Sequence, residues 1–181
     1  YEDALKFNAG HLPSLEAVGP LYCAKERWEE ARSVFRRVLE LTGGQGDNSQ
    51  VARTYVQLGD VERTLGEFDK AKKRYNKALD LVPNDVAALK GLAGMLSAKK
   101  DWNNLLNVYN NIIYHAQEPA DVVHAYLQKG HILDQHLSLP EKAKQHYEKG
   151  LAFDGDQPTL MLLLAELVLR EDDWPLAGDL A

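Results

Sequence analysis

Two sets of similar residues, which we call ladders, recur along the chain at intervals of 34 residues. Short insertions lengthen two of the intervals to 40 and 38 residues. The first ladder is aromatic and comprises Tyr1, Phe35, Tyr75, Tyr109 and Tyr147. The second ladder comprises Ala31, Ala71, Leu105, Ala143 and Ala177. A fixed period of this length is typical of repeat proteins, in which each repeat buries its apolar face against a neighbour. The chain is therefore predicted to fold as an array of stacked repeats.

Each repeat has the residue spacing of two amphipathic helices, with apolar positions recurring every three or four residues. In the clearest repeat the first helix presents Tyr55, Leu58 and Glu62 on one face, and the second presents Ala71, Tyr75 and Ala78. Gly59 and Ala71 are small, so the two helices are predicted to cross closely there, because larger side chains would overpack the contact. Aromatic residues predicted to pack in the core also recur at repeat spacing: Trp28, Phe68, Trp102 and Trp174.

Short polar motifs predict where several helices begin. Residues 138–141, with the sequence Ser-Leu-Pro-Glu, have the pattern of a capping box with proline in the first helical turn. Asp101 and Asp173 each precede a tryptophan and are predicted to be N-cap residues. Residues 83–85, with the sequence Pro-Asn-Asp, are predicted to end one helix and to cap the next.

The spacing resembles the tetratricopeptide repeat, whose signature is W-x2-L-G-x2-Y, followed by A-x3-F and then P. The best copy spans residues 52–85 and carries Tyr55, Leu58, Gly59, Ala71, Tyr75, Ala78 and Pro83. Glu62 departs from the pattern, since it stands where the family prefers tyrosine. The resemblance implies an all-α fold, namely a right-handed superhelical solenoid of antiparallel helix pairs with a concave groove.

The repeat boundaries follow from aligning the copies. The predicted repeats span residues 12–45, 52–85, 86–119, 120–157 and 158–181. An inserted loop at 46–51 separates the first two. The repeat 120–157 contains short insertions, including one extra residue in its internal turn. Residues 1–11 have the pattern of the end of a second helix, and 158–181 that of a first helix and the start of a second. The sequence therefore predicts an interior fragment of a longer array.

Composition argues against several classes of partner. The net charge is −6, with 27 acidic and 21 basic residues and no basic stripe, whereas nucleic-acid binders gain most of their affinity by neutralising phosphates. The longest apolar run, residues 160–165, is too short for a membrane span, so no membrane insertion is predicted. The single cysteine, Cys23, excludes an internal disulfide and is compatible with a reducing compartment such as the cytoplasm.

No catalytic or cofactor motif is found, so the segment is predicted not to be an enzyme and to hold no cofactor. The glycine-rich stretch 43–46 lacks the following Lys-Ser or Lys-Thr of a phosphate loop and is better explained as an inserted loop. His124, His131 and Asp134 share a helical face, but the i, i+4 histidine pair of a zincin is absent, which favours polar surface residues over a metal site. Cys23 has no catalytic partner motif and is interpreted as a packed or half-exposed thiol.

In the family that the sequence resembles, the first helix of each repeat lines the concave groove and partner peptides lie across it. The groove positions thus implied are Arg53, Val56, Asp60, Arg63, Lys90, Gly94, His124, Leu127, His131, Asp134, Leu162 and Glu166, with Glu16, Pro20 and Cys23 in the first repeat and Ala87, Ser97, Thr159 and Leu169 in later ones. The fourth set is open to a shift of one residue, because its repeat has an inserted turn residue. Pro20 is predicted to kink its helix, to end it early or to open the groove locally, since a mid-helix proline removes a hydrogen bond.

The residues of the implied groove bear on two kinds of ligand. The Lys/Asn clamp with which some family members grip chaperone C-termini is absent, since Gly94, Thr159 and Leu163 replace its residues. Three bases, Arg53, Arg63 and Lys90, are predicted to attract an acidic segment of a partner. The open alternative is that these bases pair with acids of the groove itself, such as Asp60.

Three functions are compatible with these patterns. The leading prediction is a protein-interaction scaffold whose groove holds a peptide or helix of a partner protein. The first alternative is a structural array that self-associates by end-to-end stacking of its repeats. The second is a recognition arm that serves an enzyme domain outside this segment.

Overall fold

The computed structural model of the protein describes residues 8–43 and 47–172, and within those ranges the chain forms only α-helices. The helices are α1 (Leu12–Ala24), α2 (Trp28–Thr42), α3 (Asn48–Thr64), α4 (Phe68–Leu81), α5 (Val86–Ala98), α6 (Trp102–His115), α7 (Pro119–Gln135), α8 (Pro140–Phe153) and α9 (Pro158–Asp172). The predicted all-α fold is confirmed. Predictions for Tyr1, Asp173, Trp174, Ala177 and residues 44–46 lie outside the described residues.

The chain divides into two compact units, one ending at Met95 and the other beginning at Leu96, so the boundary falls inside α5. In the first unit α1 packs on α2, α2 on α3, and α3 on α4. Its ladder residues Ala31, Phe35, Ala71 and Tyr75 are at most 2% exposed. Phe35 lies in one apolar cluster with Leu58 and Val61, and Tyr75 lies in another with residues of α3 and α5. The ladders therefore form the core of this unit, as predicted.

The second unit repeats the arrangement. Here α6 packs on α7, α7 on α8, and α8 on α9. Its ladder residues Leu105, Tyr109, Ala143 and Tyr147 are at most 8% exposed. Tyr147 shares a cluster with Leu133 of α7 and Leu160 of α9, so one aromatic side chain joins three successive helices.

Close helix contacts in the first unit depend on two glycines that face Tyr75. A Cβ atom at Gly59 would lie 2.8 Å from Cε1 of the Tyr75 ring, and one at Gly91 would lie 2.3 Å from the same atom. Both separations are far below a normal carbon–carbon contact, so the ring fits between α3 and α5 because neither helix carries a side chain there. The predicted close crossing at Gly59 is confirmed.

The turns inside the helix pairs share one backbone feature. A residue with positive φ lies two positions before α2, α4, α6 and α8, namely Glu26, Gly66, Lys100 and Ser138, with φ values of 57°, 79°, 56° and 54°. Glycine adopts this conformation at little cost, whereas the other residues are held in it by backbone hydrogen bonds that close the preceding helix. The predicted capping box is therefore wrong. Ser138 occupies this turn position, and Leu139 precedes Pro140 as the N-cap without a side-chain hydrogen bond.

Two other predicted caps are confirmed. The Asp101 carboxylate accepts a hydrogen bond from the backbone N–H of Asn104 at 3.4 Å, and Asp85 accepts one from the N–H of Ala88 at 2.8 Å. The prediction for Phe68 is wrong, and one of the alternatives for Pro20, an early end of its helix, is excluded. Phe68 is 51% exposed at the start of α4 and is not a core residue. Pro20 does not end α1, which continues through it to Ala24.

Glu62, the one departure from the repeat pattern in the best copy, is buried in an ion-pair network. Its side chain is 0% exposed and contacts two arginines, Arg36 of α2 at 3.2 Å and Arg74 of α4 at 3.1 Å. A buried carboxylate is costly unless charges and hydrogen bonds compensate it, and both guanidinium groups do so here. Glu62 therefore joins three helices, where the family pattern would place an aromatic ring.

Candidate functional site

The candidate site lies in the first unit on the side formed by α1 and α3, which we call the α1/α3 face. Two adjoining pockets lie along it, with volumes of about 440 and 210 Å³. The larger is lined by Pro20, Cys23, Trp28, Phe35, Gln57, Asp60, Val61, Arg63 and Thr64. The smaller is lined by Glu16, Pro20, Phe35, Val38, Gln50, Arg53, Thr54 and Gln57. Both are walled by the two helices and floored by α2, on which the Phe35 ring lies.

Several of the predicted residues meet on this face. Arg53, Asp60 and Arg63 line the pockets together with Glu16, Pro20 and Cys23, all of which the resemblance implied. Val56 lies elsewhere, because it is 6% exposed and packs in the apolar cluster around Tyr75. Gln57 and Thr64 were missed, although they stand one helical turn beyond Arg53 and Asp60 on the same side of α3.

Asp60 is the central charged group of the larger pocket. Its carboxylate accepts a hydrogen bond from the Tyr75 hydroxyl at 2.8 Å and lies 3.8 Å from the Arg63 guanidinium. Partial burial raises the pKa of Asp60, and the Tyr75 hydrogen bond and Arg63 lower it only in part. Burial, and then the charge of Asp60, raise the pKa of the nearby Cys23 thiol. The thiol is therefore held in its protonated, weakly nucleophilic form.

The two arginines of the face differ in their surroundings. Arg63 pairs with Asp60, but both side chains are about half exposed, at 45% and 51%, so the pair is weak. Arg53 is exposed and makes no ion pair with any residue that the structure describes. The Glu16 carboxylate in the same pocket accepts a hydrogen bond from Gln50 of α3. Arg53 is therefore the cation of this face with the most capacity for an added anion.

The remaining predicted residues lie on other helices. On α5 Lys90 and Gly94 are exposed, and the position of a Cβ at Gly94 opens into empty space. In the second unit His124, Leu127, His131 and Asp134 lie on α7, and Leu162 and Glu166 lie on α9. Asp134 accepts a hydrogen bond from Arg170 at 2.8 Å, which ties α7 to α9.

The histidines do not form a metal centre among the described residues, where no group of three or more possible ligands is found. Instead His136 stacks on the Trp102 ring with a centroid separation of 4.0 Å, and His131 meets His136 edge-on at 5.8 Å. None of the helices described is both long and apolar enough to cross a bilayer.

The helix pairs and their buried ladders define a class of protein, the helical repeat proteins. Residues 13–84 match the tetratricopeptide repeat family model. Together with the helix-pair fold, this shows that residues 13–84 form tetratricopeptide repeats. Proteins of this class generally act in protein–protein interactions.

Known proteins resemble the chain over most of its length. It is 22% identical over 182 residues to the type IV pilus assembly protein PilF of Pseudomonas aeruginosa, covering 96% of this chain and 67% of PilF. The solved PilF structure matches with a TM-score of 0.71 at 23% identity, over 93% of this chain and 72% of that one.

Two other solved structures share the fold. MamA of Desulfovibrio magneticus matches with a TM-score of 0.70 at 22% identity, over 93% of this chain and 89% of that one. YrrB, a tetratricopeptide repeat protein with an unusual peptide-binding site, matches with a TM-score of 0.65 at 20% identity, over 89% and 78% of the two chains. At these identities the likeness is one of fold.

Proposed function

We propose that the protein is a non-catalytic interaction module that binds a peptide or helix of a partner protein on the α1/α3 face. The observation that carries this proposal is the pair of adjoining pockets between α1 and α3. Together they form a groove with polar walls and an apolar floor that consists of Phe35 and Val38. Such a combination suits a peptide, because apolar area supplies affinity and a few polar groups fix register. A peptide-binding site is also described for YrrB, which has the same fold.

We further propose that the partner segment is acidic. Arg53 has no ion pair among the described residues, and the weak pair with Asp60 leaves Arg63 able to contact a second carboxylate. The two acids of this face already have partners, since Asp60 contacts the Tyr75 hydroxyl and Arg63, and Glu16 accepts a hydrogen bond from Gln50. Lys90 on α5 adds a further exposed base within the same unit.

A binding role without catalysis fits the side chains of the face. The sole thiol there, Cys23, is kept protonated by burial and by Asp60. Asp60 itself is committed to the Tyr75 hydroxyl and to Arg63. Neither group is therefore arranged as an activated nucleophile.

Charge reversal at Arg53 tests this proposal. An array of short synthetic peptides, each acidic sequence matched by its Glu→Gln and Asp→Asn counterpart, is probed with the full chain. We expect selective binding of acidic members, and a loss of about ten-fold or more for Arg53→Glu, as for the removal of one charge contact. Lys73→Glu is the matched control, because Lys73 is an exposed base on α4, outside both pockets. Equal binding of the acidic peptides by the two variants would mean that the peptide-binding surface is not the α1/α3 face.

The surface of α9 favours a second candidate function, self-association. Met161, Leu162 and Leu169 are 50%, 60% and 64% exposed, which is an unusual density of exposed apolar side chains on one helix. End-to-end stacking of copies through α9 would bury them. Mass measured by light scattering over roughly a hundred-fold range of concentration tests this by mass action. A mass that rises with concentration in the unaltered chain and in the exposed control Tyr114→Glu, but not in Leu162→Glu, would support stacking. A constant monomer mass would exclude it.

A further inference from the structure

A third pocket lies in the second unit and shares no lining residue with the pockets of the α1/α3 face. Helices α6, α7 and α8 line this open pocket, and its volume is about 470 Å³, within the range of small-molecule sites. It is lined by Asn103, Leu106, Asn107, Asn110, Lys129, Leu133, Lys142, Gln145 and His146. These residues include two lysines and four side-chain amides but no acid, although the whole chain carries a net charge of −6.

Lys129 is the most unusual of these groups, since it is a lysine that is 7% exposed. Its ammonium group donates a hydrogen bond to the Oδ1 of Asn110 at 2.5 Å, and it makes no ion pair with any carboxylate in the described part of the chain. Burial lowers the pKa of Lys129, and the charge of Lys149 lowers it further. A buried ammonium with one neutral amide as its partner is under-compensated, because that hydrogen bond engages only one of its three N–H donors and brings no opposite charge.

His146 supplies a second unsatisfied group in the same wall. Its Nδ1 is buried without a hydrogen-bond partner in the described structure. Burial, then Lys129 and Lys149, lower the pKa of His146 to about 4, so the ring is neutral at physiological pH. A neutral imidazole offers one N–H donor and one acceptor nitrogen. Burying a ring nitrogen without a hydrogen-bond partner costs free energy, because its interaction with water is lost and not replaced.

We propose that this pocket binds a small ligand through an oxyanion, that is, a carboxylate or phosphate group. The Lys129 ammonium is the primary donor to the oxyanion, with Lys142 and the amides of Asn103, Asn107 and Gln145 available around it. His146 forms part of the pocket wall beside these donors. Because the pocket is formed by α6, α7 and α8, this proposal does not rest on the binding proposed at the α1/α3 face.

The test is a titration of the nitrogen-15-labelled full chain followed by NMR. Inorganic phosphate and succinate are the two probes, each added at constant ionic strength, and the side-chain amide signals of Asn103, Asn107, Asn110 and Gln145 are monitored. We expect saturable shifts with at least one probe. Lys129→Met, which keeps the length of the side chain and removes its charge, should weaken binding by about ten-fold or more. Lys77→Met, at an exposed base of α4, should leave it unchanged.

Each result decides the proposal. Saturation by phosphate alone assigns a phosphate-bearing ligand, by succinate alone a carboxylate, and by both a simple oxyanion site. Linear shifts with both probes would overturn the proposal. If Lys129→Met does not fold, Lys142→Gln at the exposed rim replaces it, with the same direction expected. Saturable binding that survives both substitutions would also overturn it.

Discussion

Replacing Tyr75 with alanine should be among the most destabilising single changes in the first unit. The ring is 0% exposed and lies against Gly59 of α3 and Gly91 of α5, so its removal empties the contact of three helices. A buried aromatic side chain removes roughly 150–250 Å² from water, worth about 4–6 kcal/mol at ~25 cal/mol/Å². Partial collapse of the cavity and a compact unfolded state reduce this to an expected ~3–5 kcal/mol.

The loss has an apolar and a polar part, which Tyr75→Phe separates. Phenylalanine keeps the ring and removes the hydroxyl that donates to Asp60 at 2.8 Å, so this variant should lose only about 1 kcal/mol. Urea melts followed by far-UV circular dichroism measure both. Tyr114→Ala is the matched control, since that ring is 83% exposed and should cost less than about 0.5 kcal/mol. Equal midpoints for Tyr75→Ala and Tyr114→Ala would refute the packing of the ring between the two glycines.

Two further stability predictions concern charged groups. Glu62→Gln should destabilise by about 2–3 kcal/mol, below the ~3–5 of a fully buried pair because its arginine partners are 42% and 29% exposed. Glu40→Gln, in an exposed ion pair, should stay within about 0.5 kcal/mol, and similar urea midpoints for the two variants would contradict this. Because the folded-state pKa of His146 is about 4, against about 6.5 when unfolded, the unfolded chain binds more protons and stability should fall as pH drops from about 6.5 to about 4. Urea melts across this range should show a shallower fall for His146→Gln, and parallel curves would argue against a buried neutral ring.

Much of the core follows from periodicity alone. Phe35, Tyr75 and Tyr147 were placed in the core by their spacing, and each is at most 2% exposed. This works because each repeat must bury the same positions against its neighbour, so the same side-chain types recur. The resemblance to the tetratricopeptide repeat extends this logic to small positions such as Gly59, where the contact distance leaves no room for a side chain.

Other features depend on geometry that periodicity does not carry. Phe68 has the right spacing and begins its helix as Trp28 and Trp102 do, yet its ring is 51% exposed whereas those two residues are partly buried, so equal spacing does not ensure equal burial. Ser138 matched a capping box, yet the turn that closes α7 forces it to positive φ and moves the N-cap to Leu139. The partners of Glu62 come from two other helices, so no local pattern could indicate them.

The candidate site was predictable in part. Arg53, Asp60 and Arg63 were chosen from the resemblance, and all three line the pockets of the α1/α3 face. Val56 differs because it faces Tyr75 in the core, while Gln57, on the pocket side of α3, was not chosen. The α6–α8 pocket had no sequence signal, since Asn107 and Lys129 lie on separate helices and become neighbours only through packing.

Site-specific photo-cross-linking tests the proposed α1/α3 binding face most directly. A photoreactive amino acid replaces Gln57, which lines both pockets, and in a second variant replaces Lys73 on α4. Each variant is irradiated with the acidic peptide that binds best on the array, and the adducts are identified by mass spectrometry. We predict an adduct at position 57 that excess unlabelled peptide suppresses, and none at position 73. An adduct at position 73 with none at position 57 would contradict binding at the α1/α3 face.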